Sequence, residues 1–299
     1  MVSAMFATKD KDRFVTLFKT PQRQSQLASC AQEAIAGTPY RSAANFIGAL
    51  KEDGILNAHI LKAKNNKAVT IYSSSPLDKI NLYELAAKMF PAGYFCNLSS
   101  IYFHSLTNQI PKTIYICNET ISGHLKTKAA GMNNSLLRRA FIKPHRHTSY
   151  VFAVNNCEIV VVDRKKKSDH GIVKIHAHNT LLPNNSRITS VERALIDAVV
   201  SPQYNGGIVS VYTYFKKARQ KMDVAKLMDI YRKLDFVYPY SQVLGFFLDN
   251  IGLQNQAADI FNVYPPQFKF FVDHNAKASW SYDEKWKLYY PNGLIDENR

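Results

Sequence analysis

Three segments near the start of the chain space their apolar residues three and four positions apart, as the buried face of a helix requires. In the segment 9–19 these positions are Phe14, Leu17 and Phe18. In the segments 25–35 and 40–56 they are Leu27, Cys30, Ala31, Ala34, Ala43, Phe46, Ile47 and Leu50. Gly54 ends the third helix, since glycine is favoured just past a last helical turn. The pattern therefore predicts three consecutive helices.

Two short apolar runs follow, and both are typical of β-strands. They are "ILNAHIL" (55–61) and "AVTIYSS" (68–74), and they flank the polar and basic loop "KAKNNK" (62–67). Three helices followed by a hairpin is the element order of a winged helix-turn-helix, whose third helix enters the major groove of DNA. The pattern predicts such a DNA-binding domain over residues 1–75, ending at the break "SSSP" (73–76), where proline restricts the residue before it.

The remaining residues, 76–299, predict a larger α+β domain with strands first and helices after. A helix is expected over 77–90, and the segment 93–120 predicts a strand, a short helix, a loop and a strand. Spacing further along predicts strands within 149–154, 157–163 and 171–177, and then helices within 190–200, 207–221, 224–234 and 240–252. The aromatic tail, 268–291, is expected to pack back on the core.

The net charge of +15 changes the picture, because excess lysine and arginine favours polyanions such as nucleic acid. Residues 1–75 hold ten Lys and Arg against five Asp and Glu, and residues 124–178 hold eleven against three. The predicted DNA-binding residues are Arg41, Ser42, Asn45 and Lys51 on the third helix and Lys62, Lys64 and Lys67 on the hairpin. The helix residues would lie near base edges, and the hairpin lysines would neutralise phosphates. Alternatively, this face makes protein contacts.

A second basic surface is predicted from "NNSLLRRAFIKPHRH" (133–147). It offers Arg138, Arg139, Lys143 and Arg146, with Phe141 between them. Cations interleaved with an aromatic ring suit nucleic acid or phosphate. They would equally suit an acidic protein partner.

The sequence contains few motifs that would indicate a metal site or a catalytic site. Histidine pairs at i, i+2 on a strand share a face, so His145 with His147 and His176 with His178 could each face a metal. No carboxylate or thiolate stands beside them, which favours surface histidines, and their role stays open. The chain holds no nucleophile elbow, phosphate loop, dinucleotide fingerprint or metalloprotease motif. We therefore expect no catalytic residue, no metal and no cofactor, and a protein that is not an enzyme.

The expected compartment is the cytoplasm, with no membrane partner. The apolar runs are too short for a transmembrane span, and the start "MVSAMFATKDKDRF" lacks the order of a secretory signal. The four cysteines form no CxxC pair, so neither a zinc knuckle nor a disulfide framework is indicated. A reducing compartment suits this usage.

The stretch "RITSVERALIDAVVSPQYNGG" (187–207) concentrates charges beside an apolar run. Thr189 and Glu192 fit a capping box, and Arg193 and Asp197 are i, i+4 on one helix face. This pattern favours a structural role over a catalytic cluster. A buried functional carboxylate at Asp197 is the alternative.

Taken in order, the winged helix, "YFCNLSSIYFHSLTNQIPKTIYI", "RITSVERALIDAVVSPQYNGGI" and "WSYDEKWKLYYP" make the chain resemble the AbiEi family over nearly its whole length. These are the antitoxins of type IV abortive-infection toxin–antitoxin pairs. The family's serine-led short helix and its following turn correspond to Ser99, Ser100, Tyr102, Leu106 and Thr107. Its second motif helix and glycine turn correspond to Glu192, Arg193, Leu195, Asp197, Gly206 and Gly207. One departure is His104-Ser105, where the family has His-Gly.

The resemblance implies that the N-terminal domain binds inverted repeats in promoter DNA and represses its own operon. It implies that the second domain counteracts a nucleotidyltransferase-like toxin without a stable complex. Two other hypotheses stay open. One is a stand-alone winged-helix regulator without a toxin, and the other is a nucleic-acid-acting enzyme that uses the Arg138–His147 surface.

Overall fold

The computed structural model describes residues 6–120, 132–165, 169–175 and 181–295. The first elements are α1 (Thr8–Leu17), α2 (Gln24–Ala34), α3 (Ala43–Glu52), β1 (Asn57–Lys62) and β2 (Ala68–Ser73). The predicted order of three helices and a hairpin is therefore confirmed. Its identification as a winged helix-turn-helix stays a prediction.

Aromatic residues hold the three helices together. Phe14 and Phe46 are fully buried, and their ring centroids lie 5.0 Å apart in an edge-to-face arrangement. Leu27 and Leu50 complete this small core from α2 and α3. Ser42 begins α3 as its N-cap, and its Oγ accepts a hydrogen bond from the Asn45 amide at 3.3 Å. Such a cap stabilises a helix by about 1 kcal/mol.

The hairpin is antiparallel, with Lys62 opposite Ala68 and Leu61 opposite Val69. A further short pairing lies on its other side. Gln22, between α1 and α2, exchanges two backbone hydrogen bonds with Tyr72, each 2.9 Å long. The chain between the first two helices thus adds one residue pair to β2.

The inner face of the hairpin belongs to the core of the residues that follow. Leu61, Val69 and Ile71 are buried in the same apolar cluster as Tyr83 and Phe152. The hairpin therefore shares a core with the sequence beyond residue 76. The division into domains 1–75 and 76–299 stays a prediction.

A six-stranded mixed sheet forms the middle of the protein. The elements here are α4 (Leu82–Met89), β3 (Tyr94–Phe95), α5 (Asn97–Phe103), β4 (Thr113–Thr120), α6 (Asn134–Phe141), β5 (Val151–Val154), β6 (Cys157–Lys165), β7 (Ile172–Ile175) and β8 (Ser186–Thr189). The strand order is β5-β6-β4-β3-β8-β7, with β4–β6 and β3–β8 parallel and the other pairs antiparallel. Strand β8 is absent from the sequence prediction.

Helices dominate the last third. They are α7 (Val191–Val200), α8 (Ile208–Ala218), α9 (Val224–Leu234), α10 (Ser241–Asn250) and α11 (Gln254–Val263), followed by β9 (Phe270–Phe271), β10 (Ser281–Asp283) and β11 (Leu288–Tyr290). Helix α11 was not predicted. The protein is α+β, with helices at the N-terminus, strands in the middle and helices after, so the predicted fold class is confirmed.

The aromatic tail packs on the helical core, as predicted. Trp286 is fully buried, and its ring lies directly on Gly245 of α10. A Cβ at position 245 would come within 2.1 Å of the Trp286 ring. Glycine is therefore needed there for close approach, and the tail is a fixed part of the fold.

Candidate nucleic-acid interface

One side of α3 is open to solvent. Arg41, Asn45 and Lys51 are exposed, whereas Phe46 and Leu50 face the core. Arg41 was predicted on this helix, but the helix begins at Ala43, so Arg41 lies just before it. Three of the four residues predicted to read DNA are exposed and available to a partner. The fourth, Ser42, is half-buried, and its Oγ already serves as the N-cap acceptor.

The exposed side of α3 continues onto the outer face of the hairpin. The ammonium of Lys51 lies 4.6 Å from the ring centroid of Tyr72 on β2. The register places Tyr72 on the same hairpin face as Lys62, which is exposed. Helix and hairpin together form a surface with Arg41, Lys51 and Lys62, which we call the α3 face.

The loop at the hairpin tip is docked on the central sheet. Ala63 bridges to Phe152 of β5, and the Lys64 amide donates to the Val151 carbonyl at 2.9 Å. The docking has a simple cause, because β5 is an edge strand of the sheet with backbone groups left to pair.

The two loop lysines predicted to contact phosphate meet carboxylates instead. Lys64 Nζ lies 2.8 Å from Glu158, and Lys67 Nζ lies 3.9 Å from Asp163 and 4.5 Å from the Tyr150 ring centroid. Both pairs are well exposed, and exposed pairs contribute about 0–1 kcal/mol. The carboxylates partly balance the charges of Lys64 and Lys67. Of the three predicted hairpin lysines, Lys62 is therefore the most available to a phosphate.

The second basic surface is exposed at all four predicted cations. Arg138 and Arg139 lie in the last turn of α6, and Lys143 and Arg146 follow in the next segment. Phe141 is 1 % exposed and packs against Phe270 and His274, so it offers no ring to a base. The expected interleaving of cations with an accessible aromatic is wrong, because Phe141 is the inward-facing residue of an amphipathic helix.

His145 and His147 have different partners. His145 Nε2 contacts the Asp273 carboxylate, and its ring lies 4.4 Å from that of His274. His147 packs edge-on against Tyr204, at 5.8 Å between ring centroids. Within the residues that the structure describes, no group of three or more His, Cys, Asp or Glu side chains could hold a metal ion. The second pair, His176 and His178, lies outside the described residues.

The family-motif residues meet in a buried polar cluster where α5, β8 and the start of α7 join. Ser100 is fully buried; its Oγ donates to the Phe95 carbonyl at 2.9 Å and accepts from Thr189 Oγ1 at 2.6 Å. His104 Nε2 donates to the Thr189 carbonyl at 2.6 Å, and burial lowers the pKa of this histidine below its usual value. These bonds tie the serine-led short helix to the strand that precedes α7. Tyr102, on the same helix, is half-buried beside Phe103.

Arg193 and Asp197 form the predicted i, i+4 pair, and both are buried. Arg193 Nε donates to Asp197 Oδ1 at 3.0 Å, and its Nη1 donates to the His170 carbonyl at 2.7 Å. The guanidinium thereby links α7 to the turn before β7. Its contacts are structural in kind, as the spacing indicates.

The predicted capping box of Thr189 and Glu192 is wrong. Ser190, not Thr189, is the N-cap, and its Oγ accepts from the Arg193 amide at 3.3 Å. Thr189 ends β8 instead, because its backbone pairs with Ile172. Glu192 contacts Lys226 of α9 at 2.9 Å. Burial alone would raise the pKa of Glu192, but hydrogen bonds from Lys226 and Ser190 hold it below its usual value.

Asn97 and Asn205 form a further buried polar contact that sequence reasoning did not single out. Both are fully buried, and Asn205 Nδ2 donates to Asn97 Oδ1 at 3.2 Å. Asn97 has φ +49°, a left-handed conformation that asparagine tolerates better than most residues. No local pattern connects them, since they are 108 positions apart.

The solved structure of the RV2827C protein from Mycobacterium tuberculosis is similar to this chain. The TM-score is 0.53 at 12 % sequence identity, over 96 % of this chain and 93 % of that one. The two proteins share the α+β fold over nearly their full lengths. No family model and no curated protein sequence matches the chain.

Among residues 6–120, 132–165, 169–175 and 181–295, no helix combines the length and the apolar character needed to cross a membrane.

Proposed function

We propose that this protein binds promoter DNA through its α3 face and represses its own operon, acting in the cytoplasm as the antitoxin of a type IV toxin–antitoxin pair. The observation that carries the proposal is the exposure of Arg41, just before α3, and of Asn45 and Lys51 on the helix itself. Two cations and an amide exposed on a helix and just before it can contact both phosphates and base edges.

The surroundings of α3 support this use. The backbone pairing of Gln22 with Tyr72 adds a short strand segment to the hairpin beside the three helices. Lys62 adds an exposed cation on the same face of the hairpin as Tyr72, at the end next to the hairpin tip. An affinity built on such cations is expected to depend strongly on salt.

The antitoxin part of the proposal rests on the resemblance to the AbiEi family. Ser100, Glu192, Arg193 and Asp197 are all buried and engaged with neighbouring backbone or side chains, which suits residues that maintain the fold. In this proposal the partner is a nucleotidyltransferase-like toxin, neutralised without a stable complex.

One double variant separates the two roles. Arg41→Glu with Lys51→Glu should weaken binding to the DNA upstream of the gene by more than roughly 30-fold, because each lost contact costs about 1–3 kcal/mol. The same variant should still restore growth when the neighbouring toxin reading frame is expressed from a heterologous promoter. Gel-shift titration and a growth assay measure the two effects.

The matched control is Lys216→Glu with Lys217→Glu on α8, two exposed lysines that undergo the same change of charge. Circular dichroism confirms that both variants are folded. Equal loss of DNA binding in both would refute the α3 face as the DNA site. Failure of the wild-type protein to restore growth would refute the antitoxin role.

A further inference from the structure

A cavity of about 460 Å³ opens beside the second basic surface. The end of α6 contributes Arg139, the segment after it contributes Lys143 and Arg146, and the loop after β9 contributes His274. None of these elements belongs to the α3 face. The cavity is therefore separate from the proposed DNA-binding surface.

The charged side chains that line the cavity are basic. Arg139, Lys143 and Arg146 line it, and no Asp or Glu does so among the described residues. Within that part of the chain, none of the three forms an ion pair with a carboxylate, in contrast to Lys64 and Lys67. Three cations converging on one concavity without a counter-charge favour an anionic ligand.

The backbone around the cavity is held in place from both sides. The amide of Asn275 donates to the Lys143 carbonyl at 3.2 Å, and the amide of Ala276 donates to the Phe141 carbonyl at 3.1 Å. His145 contacts the Asp273 carboxylate, which also accepts from the His274 amide at 2.7 Å. The segment carrying the cations is thus preorganised, which lowers the entropic cost of binding a ligand.

Two histidines line the cavity: His145 contacts the Asp273 carboxylate, and His274 does not add a fixed charge. Burial lowers the pKa of His274, and neighbouring His145 lowers it further. His274 is therefore neutral at neutral pH, and its ring stacks on Phe141 at 4.3 Å between centroids. The charge available to a ligand comes from the two arginines and the lysine.

Apart from Gln203, the remaining lining residues are apolar or aromatic. Leu136, Val200 and Tyr238 line the cavity together with the aliphatic Pro144. The volume lies within the range of small-molecule sites, which spans about 300–1,000 Å³. It holds one nucleotide-sized molecule, and a duplex could place no more than a strand end in it.

We propose that this cavity binds a nucleoside monophosphate or a closely similar phosphorylated small molecule. Arg139, Lys143 and Arg146 hold the phosphate, and the ring of the ligand packs against Tyr238 and Leu136. Arginine forks match phosphate oxygens in geometry as well as charge. The site is independent of the DNA-binding role of the α3 face.

Calorimetric titration of the full chain tests the proposal, with AMP, adenosine and inorganic phosphate as probes. AMP is expected to bind at least roughly tenfold more tightly than either fragment, since it alone fills both parts of the cavity. Arg139→Gln should weaken AMP at least roughly tenfold, because it removes a charged hydrogen bond worth more than about 1.4 kcal/mol.

Arg138→Gln is the matched control, because Arg138 is the neighbouring exposed arginine on α6 and does not line the cavity. It should change AMP affinity by less than roughly twofold, and Arg146→Gln provides a second lining variant if Arg139→Gln does not fold. No AMP binding, phosphate binding as tightly as AMP, or equal effects of the Arg138 and Arg139 variants would each overturn the proposal. Competition between AMP and a short DNA duplex for the cavity would also overturn the proposal, because the cavity would then be part of a DNA-binding surface. The Arg139→Gln variant should bind upstream DNA as the wild type does in a gel shift. This measurement separates a failure of the cavity proposal from a failure of the DNA-binding role of the α3 face.

Discussion

Replacing Arg193 by leucine should lower the free energy of unfolding by about 3–5 kcal/mol, because the substitution removes one partner of a buried ion pair. Side chains of Arg193 and Asp197 are 3 % and 0 % exposed, so water cannot replace the lost guanidinium. The His170 carbonyl would lose its 2.7 Å hydrogen bond at the same time. Denaturant unfolding followed by circular dichroism measures the change.

A double variant distinguishes two causes of the stability loss in Arg193→Leu, namely an unpaired buried charge and a general loss of packing. Arg193→Leu combined with Asp197→Leu should recover a large part of the lost stability, because a buried pair can often be replaced by apolar residues at little cost. The exposed pair of Lys233 with Asp229 on α9 is the control, and Lys233→Ala should leave stability nearly unchanged. An Arg193→Leu protein as stable as the wild type would contradict the structural role assigned to this pair.

Trp286→Ala is the second substitution with a large expected effect, again about 3–5 kcal/mol of unfolding free energy. The indole is fully buried against Gly245, and its Nε1 donates to Asp249 at 3.0 Å. Alanine would leave a cavity and remove that hydrogen bond. Denaturant unfolding again provides the measurement.

The chain supplies its own control, since it contains two tryptophans. Trp280 is only half-buried at the edge of the same core, so Trp280→Ala should cost clearly less than Trp286→Ala. Similar losses at both positions would show that the tail does not pack on α10 as described.

The order of elements could be predicted where periodicity is strong. Helix α3 follows from Phe46, Ile47 and Leu50 at helical spacing, and the hairpin follows from two apolar runs around a polar loop. Strand β8 has only four residues, and it becomes a strand because β3 and β7 pair with it. Helix α11 buries only Ala257 and Ile260, which gives too weak an apolar stripe to identify.

In the candidate sites too, contacts between residues close in sequence could be predicted, whereas contacts between distant residues could not. Arg193 and Asp197 are four residues apart, so their pairing could be predicted from spacing alone. The docking of the hairpin tip depends on Glu158 and on strand β5, more than 80 residues further along the chain. His145 meets Asp273 across 128 positions. No pattern within a sequence window records such contacts, since tertiary packing creates them.

The same distinction explains the revised view of the basic residues. Composition identifies two basic regions but cannot show which of their cations meet a carboxylate. Lys64 and Lys67 do, whereas Arg139, Lys143 and Arg146 converge on a cavity without one among the described residues. Charge at the level of sequence therefore indicates a class of partner, and packing decides where that partner can bind.

The most direct test of the central claim is the affinity of the full chain for the DNA upstream of its gene, compared with an unrelated duplex of equal length. We expect tighter binding to the upstream DNA and an affinity that falls linearly on logarithmic axes between about 50 and 200 mM salt, because bound phosphates release counterions. Arg41→Glu with Lys51→Glu should weaken the binding and flatten this slope. Equal affinity for the two duplexes, or an affinity that does not respond to salt, would show that the α3 face is not a promoter-binding site.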